Sequence, residues 1–198
     1  MKMLRVGLTG NIGSGKSLVA KIFSTLGIQL YHADQESKKL LEVPQIRSGI
    51  VKIFGPEILF PSGEIDRKKL GSIVFSDPVL LNSLNSLLHP LVMKDFDEWC
   101  TTQQKQQYII QEAAIIFESG YKDKFDKIIH ISCPREVSIE RVIRRDKVNR
   151  EDVLKRMQFQ FEDSKKAAMS DYVIRNDGSE MIIPQVLPIH QQLLKIGA

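Results

Sequence analysis

Cysteine is scarce in this chain, and no apolar run in it is long. Cys100 and Cys133 are the two cysteines in 198 residues, far apart and without CxxC or Cys/His spacing around either. That pattern suggests neither a disulfide framework nor a cysteine zinc site, and it fits a reducing compartment. No stretch approaches the roughly 20 apolar residues that span a bilayer, and Met1 to Gly10 lacks the long apolar stretch of a signal peptide. A soluble, cytoplasmic protein without a membrane partner is expected. No internal repeat or low-complexity segment is seen either.

What is present is enough apolar material for a full core: 42% of residues are hydrophobic. The length suits one compact unit with inserted subdomains, acting as a monomer or weak homo-oligomer. The formal net charge is +4, which admits nucleic acid and equally fits an enzyme that attracts polyanionic nucleotides. The excess is local. Between Arg135 and Arg156 stand Arg135, Arg141, Arg144, Arg145, Lys147, Arg150, Lys155 and Arg156, against five acidic side chains.

Leu4 to Thr9 is short and largely apolar and runs into a glycine-rich turn, the pattern of a strand near a sheet centre. Leu18, Val19, Ile22, Phe23 and Leu26 then recur at helical spacing, with Gly27 as a stop. Further strands are expected at Ile28 to Tyr31, Tyr108 to Gln111, Lys127 to Ser132 and Tyr172 to Ile174. Strands alternating with helices predict an α/β fold: a five-stranded, mostly parallel sheet flanked by helices. Roughly 75 residues separate the second and third strands, too many for a simple crossover, so an inserted helical subdomain is expected there. Its helical patterns, Val79 to Leu88 and Leu91 to Thr101, read as broken at His89-Pro90. A second excursion, Glu136 to about Met169, carries the basic cluster, and Pro184 and Pro188 interrupt an otherwise apolar-periodic final helix.

Gly10-Asn11-Ile12-Gly13-Ser14-Gly15-Lys16-Ser17 matches GxxxxGK[ST] after an expected strand and at the start of an expected helix. Glycines let the backbone curl so that amides point inward at phosphate oxygens, and the helix N-terminus adds a favourable dipole. ATP contacts are therefore expected from Asn11, Gly13, Ser14, Gly15, Lys16, Ser17 and Leu18. Lys16 is expected to reach the β and γ phosphates, the Ser17 hydroxyl to ligate Mg²⁺, and the Leu18 amide to meet the α phosphate. No Asn-Lys-x-Asp or Asp-x-x-Gly string occurs, which disfavours a GTPase. The short chain, with one helical insertion and one arginine-rich excursion, suits a small-molecule kinase with an acceptor pocket and a closing lid that excludes water.

Asp34 ends the second expected strand, at the edge where the loop also lies, and is a candidate general base; capping the helix that follows is the competing role. Arg141, Arg144 and Arg145 lie at helical spacing and suit charge neutralisation during phosphoryl transfer, or else a solvated face paired with Glu140 and Asp146. An ATP-gated nucleic-acid binding protein is the alternative from another class, motivated by the same cluster. No reading motif supports it, and few aromatics stand beside those basic residues.

Thr9 to Ser17, Ala33-Asp34, Leu88-His89-Pro90-Leu91, Phe117-Glu118, Arg141 with Arg145-Asp146, and Asn176-Asp177-Gly178 together resemble the dephospho-CoA kinase family in order and spacing along nearly the whole chain. The resemblance implies a P-loop kinase that phosphorylates the ribose 3′-hydroxyl of dephospho-CoA with ATP and Mg²⁺, without nucleic acid as partner. It implies a nucleotide-binding core of residues 1–34, 105–134 and 170–198, a helical acceptor (CoA) domain of 35–104, and a lid of 135–169. It makes Asp34 the catalytic base alongside Lys16 and Arg141, with Arg141, Arg145 and Asn176 at ATP. His89 and Glu112 are acceptor-side candidates; His89 before Pro90 also fits an interhelical turn, and Glu112 fits Mg²⁺-bound water, acceptor contact or a strand end. The chain departs from the family pattern at three places. His32 stands where an aspartate often precedes Ala-Asp, Leu18 where a threonine commonly follows the loop, and Glu112-Ala113-Ala114-Ile115-Ile116 where Asp-x-Pro-Leu-Leu is usual.

Overall fold

The computed structural model describes residues 3–197. Met1, Lys2 and Ala198, at the ends of the ranges 1–34 and 170–198, lie outside the described residues. Among the described residues five strands form one sheet: β1 (Leu4–Thr9), β2 (Leu30–His32), β3 (Tyr108–Glu112), β4 (Lys127–Ser132) and β5 (Tyr172–Arg175). Their order is β2-β3-β1-β4-β5 and each neighbouring pair is parallel. Parallel strands covered on both faces need apolar residues at successive positions, because neighbours along a strand point to opposite sides. Tyr108, Ile109 and Ile110 satisfy this in sequence, all 0% exposed, as are Val6, Leu8, Ile129 and Ile131. Each such aliphatic side chain contributes about 1.5–3 kcal/mol by leaving water.

Helix α1 (Lys16–Thr25) lays Val19, Ala20 and Phe23 on this core. It ends where Gly27, at φ 87°, turns the chain: the Ile28 amide donates to Phe23 and the Gly27 amide to Ser24. The chain divides into two compact units, Met1–His32 with Glu98–Ala198, and Ala33–Asp97. The helical unit holds α2 (Ala33–Leu40), α3 (Pro44–Phe54) and α4 (Arg67–Val74), and most of α5 (Pro78–Thr101). Its core is apolar, built on Ile50, Phe54, Ile58, Leu70, Val74 and Leu88.

The break expected at His89-Pro90 is absent, since α5 runs 24 residues through Pro90. Leu84, Leu88, Val92, Phe96 and Cys100 are buried at four-residue spacing, whereas Pro90 sits on the exposed side. A proline inside a helix costs about 3 kcal/mol, and burial of that continuous stripe offsets it.

The sheet unit continues with α6 (Arg135–Asp146), α7 (Arg150–Met157), α8 (Asp163–Met169) and α9 (Ile183–Ile196). Ile139, Val142, Val153 and Met157 join α6 to α7, with Ile12 packed against them. In α9, Pro184 falls in the first turn, where its missing N–H is harmless, and Pro188 is tolerated inside a helix that buries Val186, Ile189 and Leu193.

Candidate active site

β1 runs through the middle of the sheet, and the segment between Thr9 and Lys16 turns the chain into α1 at the carboxyl edge. Ligands of open parallel sheets bind at that edge. Two glycines are required here by backbone and neighbours together. Gly13 (φ 81°) and Gly15 (φ 95°) are left-handed; a Cβ on the first would strike the Ser138 carbonyl, and on the second the Asn176 side-chain amide. The Ser14 amide closes a turn onto Asn11 O at 3.0 Å, and the Leu18 amide donates to Gly15 O at 3.0 Å. Lys16 Nζ donates to Gly10 O at 3.0 Å.

The structure brings several of the expected residues to this loop. Ser17 Oγ donates to Glu112 Oε1 at 3.4 Å, and the other oxygen of Glu112 is 2.6 Å from His32 Nδ1. Arg141 Nη1 donates to Cys133 Sγ at 3.3 Å and lies 4.0 Å from where a Gly15 Cβ would stand. Asn176, 7% exposed, donates from Nδ2 to Ser14 O at 2.7 Å, so its amide braces the loop from beneath. Arg145 has another partner: its guanidinium forks onto Asp146 at 2.6 and 3.0 Å. Arg150 likewise grips Glu136, so part of the basic excess is engaged in pairs within its own segment.

Sequence reasoning missed a buried polar frame behind the loop. Asn11 Nδ2 donates to Phe161 O at 3.2 Å, and the Ile12 amide to Gln160 Oε1 at 2.9 Å. The Phe161 amide in turn donates to Glu118 Oε1, which pairs with Lys166 Nζ at 2.7 Å. Lys166 is 0% exposed and also donates to Ala114 O at 2.8 Å. Burial pulls its ammonium below the usual lysine value, against the opposing pull of Glu118. Beside it, Asp163 accepts from Ser132 Oγ and lies 3.0 Å from His130 Nε2. Burial alone would raise that carboxyl, but the hydrogen bonds from His130 and Ser132 outweigh it and hold Asp163 below the usual carboxylate range. Apart from Asn11 and Ile12 of the loop itself, only Glu118 among these residues carried a signal in the sequence, as part of Phe117-Glu118, and it carried no role. A buried lysine reads like any surface lysine until its partner, distant in the chain, is known.

Two expected residues belong to the helical unit. Asp34 is the second residue of α2, inside the first turn, where with Glu36 it suits the positive end of the helix dipole. His89 lies within α5 rather than in a turn, and burial pushes its imidazole below the ordinary value. Among the described residues no helix is long and apolar enough to cross a membrane.

The family model described as dephospho-CoA kinase matches residues 4–181. A dephospho-CoA kinase from Leptospira interrogans is 39% identical over 90% of this chain and 86% of its own. Among solved structures, a Thermus thermophilus protein aligns at TM-score 0.84 and 28% identity over 97% of this chain and 98% of that one. Dephospho-CoA kinase from Campylobacter jejuni aligns at TM-score 0.69 and 28% identity over 98% of both chains. A match of this extent, on a parallel sheet with a phosphate-type loop at its centre, leaves one assignment: the chain belongs to the dephospho-CoA kinase family.

Proposed function

We propose that this protein transfers the γ-phosphoryl group of ATP to the ribose 3′-hydroxyl of dephospho-CoA, giving coenzyme A and ADP, the last step of coenzyme A synthesis. The observation that carries the reading is the loop of residues 10–17, built on left-handed Gly13 and Gly15 at the N-terminus of α1, in a chain of this family. The loop residues Asn11, Gly13, Ser14, Gly15, Lys16, Ser17 and Leu18 hold the phosphates, with Lys16 swinging from the Gly10 carbonyl to the β and γ oxygens. Asp34 accepts the proton of the 3′-hydroxyl as its oxygen bonds to the γ phosphorus, and the bond to the β–γ bridging oxygen breaks to release ADP. Arg141, already beside Gly15, neutralises charge developing on the transferring group, while Asn176 holds the loop beneath and Arg145 leaves Asp146 for the nucleotide. Ser17 Oγ and Glu112 form a hard oxygen pair that fits Mg²⁺, which neutralises phosphate charge when bound.

Residues 35–104 serve as the acceptor domain, with His89 on the acceptor side, and residues 135–169 act as the lid. Residues 1–34, 105–134 and 170–198 make the nucleotide core. The enzyme works in the cytoplasm as a monomer or weak homo-oligomer. The test is ADP formation by purified protein with Mg·ATP and a panel of acceptors. Turnover that requires dephospho-CoA, with AMP and nucleic acid unable to replace it, is expected. Faster turnover with another alcohol, or ATPase activity stimulated by nucleic acid and suppressed by salt, would overturn the reading.

A further inference from the structure

Resting on that reading of Ser17 and the loop as the nucleotide site, we infer that His32 is a positioning residue for phosphoryl transfer, acting through Glu112. β2 ends at His32 and β3 at Glu112, and the two are register partners on adjacent parallel strands at the carboxyl edge. Their side chains meet at 2.6 Å, Nδ1 to Oε2, while Oε1 of the same carboxylate receives the Ser17 hydroxyl at 3.4 Å. One carboxylate thus bridges the end of a strand and the first turn of α1.

A carboxylate only accepts hydrogen bonds, so the short contact places a proton on Nδ1 and leaves Nε2 on the outer side of the ring. Glutamate has one rotatable bond more than aspartate, and its terminal torsion is broad. The Ser17 contact is long and Ser17 is exposed, so it fixes the carboxylate weakly. The His32 contact is short, and the Glu112 side chain is only 12% exposed. His32 therefore sets which way the Glu112 carboxylate faces. The partners lie 80 residues apart in the chain.

Two variants separate positioning from packing. His32→Leu keeps bulk and removes the donor, whereas His32→Asn places an amide N–H where Nδ1 stands. His32→Leu is expected to lower kcat about tenfold, the scale on which outer partners of a site act, with KM for dephospho-CoA nearly unchanged. In calorimetric titration with ADP, the gain in affinity on adding Mg²⁺ should shrink about tenfold, while metal-free ADP binding stays at the wild-type level. His32→Asn should restore both readouts to within about threefold. Wild-type kcat and Mg²⁺ response in His32→Leu would overturn the inference. So would equal losses in both variants accompanied by equal falls in melting temperature, which marks a packing role. If the wild-type protein fails to phosphorylate dephospho-CoA, the proposed function falls, and the ADP titration alone still decides for or against His32.

Discussion

Different physics stabilises the interior of each of the two units. Every buried polar or charged residue found, Thr9, Ser14, Gln111, His130, Ser138, Lys166 and Asn176, belongs to the sheet unit, and none to Ala33–Asp97 among the described residues. The helical unit is stabilised by an apolar core, as a small all-helical piece can be. The sheet unit instead buries groups that need partners. Leaving one unpartnered costs about 1–3 kcal/mol, more when it is charged. The lesson is that the loop is shaped by a surrounding polar frame as well as by its own glycines. Damage to the frame should reach the chemistry, whereas damage to the helical core should reach only stability.

The strongest challenge to that division is Asp34, the residue of the helical unit to which chemistry is assigned. Asp34→Asn is expected to lower kcat by about 10²–10⁴ while ATP affinity by equilibrium titration is preserved; unchanged turnover would remove the base. Next in size is Lys166→Met, which strands Glu118 in the interior. A loss of about 3–5 kcal/mol in chemical denaturation is expected, with raised KM for ATP. Adding Glu118→Gln, which keeps an acceptor for the Phe161 amide, should recover most of the stability. Failure to recover would show that the pair is not what couples them. In the helical unit, Ile50→Ala should cost about 2–5 kcal/mol through the cavity it opens, with kcat of the folded protein unchanged.

The smallest effects are those of pH, and they separate the units by window. His89 is held below the ordinary value of 6.5 by burial. Above that value both folded and unfolded states are neutral and the group has no effect. As pH falls below it the unfolded chain takes the proton first, so stability declines until the lower folded value is reached. Asp163 works in a more acidic window. Its folded value lies below the ordinary 3.8, so its contribution is full above 3.8 and lost as pH falls through the folded value. Denaturation of His89→Gln and Asp163→Asn across pH should flatten the milder and the more acidic limb, respectively.

How much of this was legible in the sequence follows from the same contrast. β1 and β4 stand where the apolar runs end, because a strand covered on both faces writes itself as consecutive apolar residues. β2 is displaced to Leu30–His32 from the expected Ile28 to Tyr31, since at a sheet edge fewer neighbours constrain the run. Pro90 misled because local propensity suggests a break, whereas its exposed side lets the buried stripe pass. The loop was readable because its demands are local: left-handed glycines and a helix start within eight residues. Asn176 on Ser14, Lys166 on Glu118 and His32 on Glu112 join positions brought together only by the sheet and the helices packed on it. No spacing rule along the chain announces such pairs.

Following the phosphoryl group itself decides whether the transfer takes place. Purified protein is incubated with dephospho-CoA, Mg²⁺ and ATP isotopically labelled at the γ phosphate, and the product is resolved by mass spectrometry and phosphorus NMR. The label is expected on the ribose 3′-oxygen of coenzyme A, with one ADP formed per labelled product. Label recovered only as inorganic phosphate, or on any other acceptor atom, would contradict the transfer.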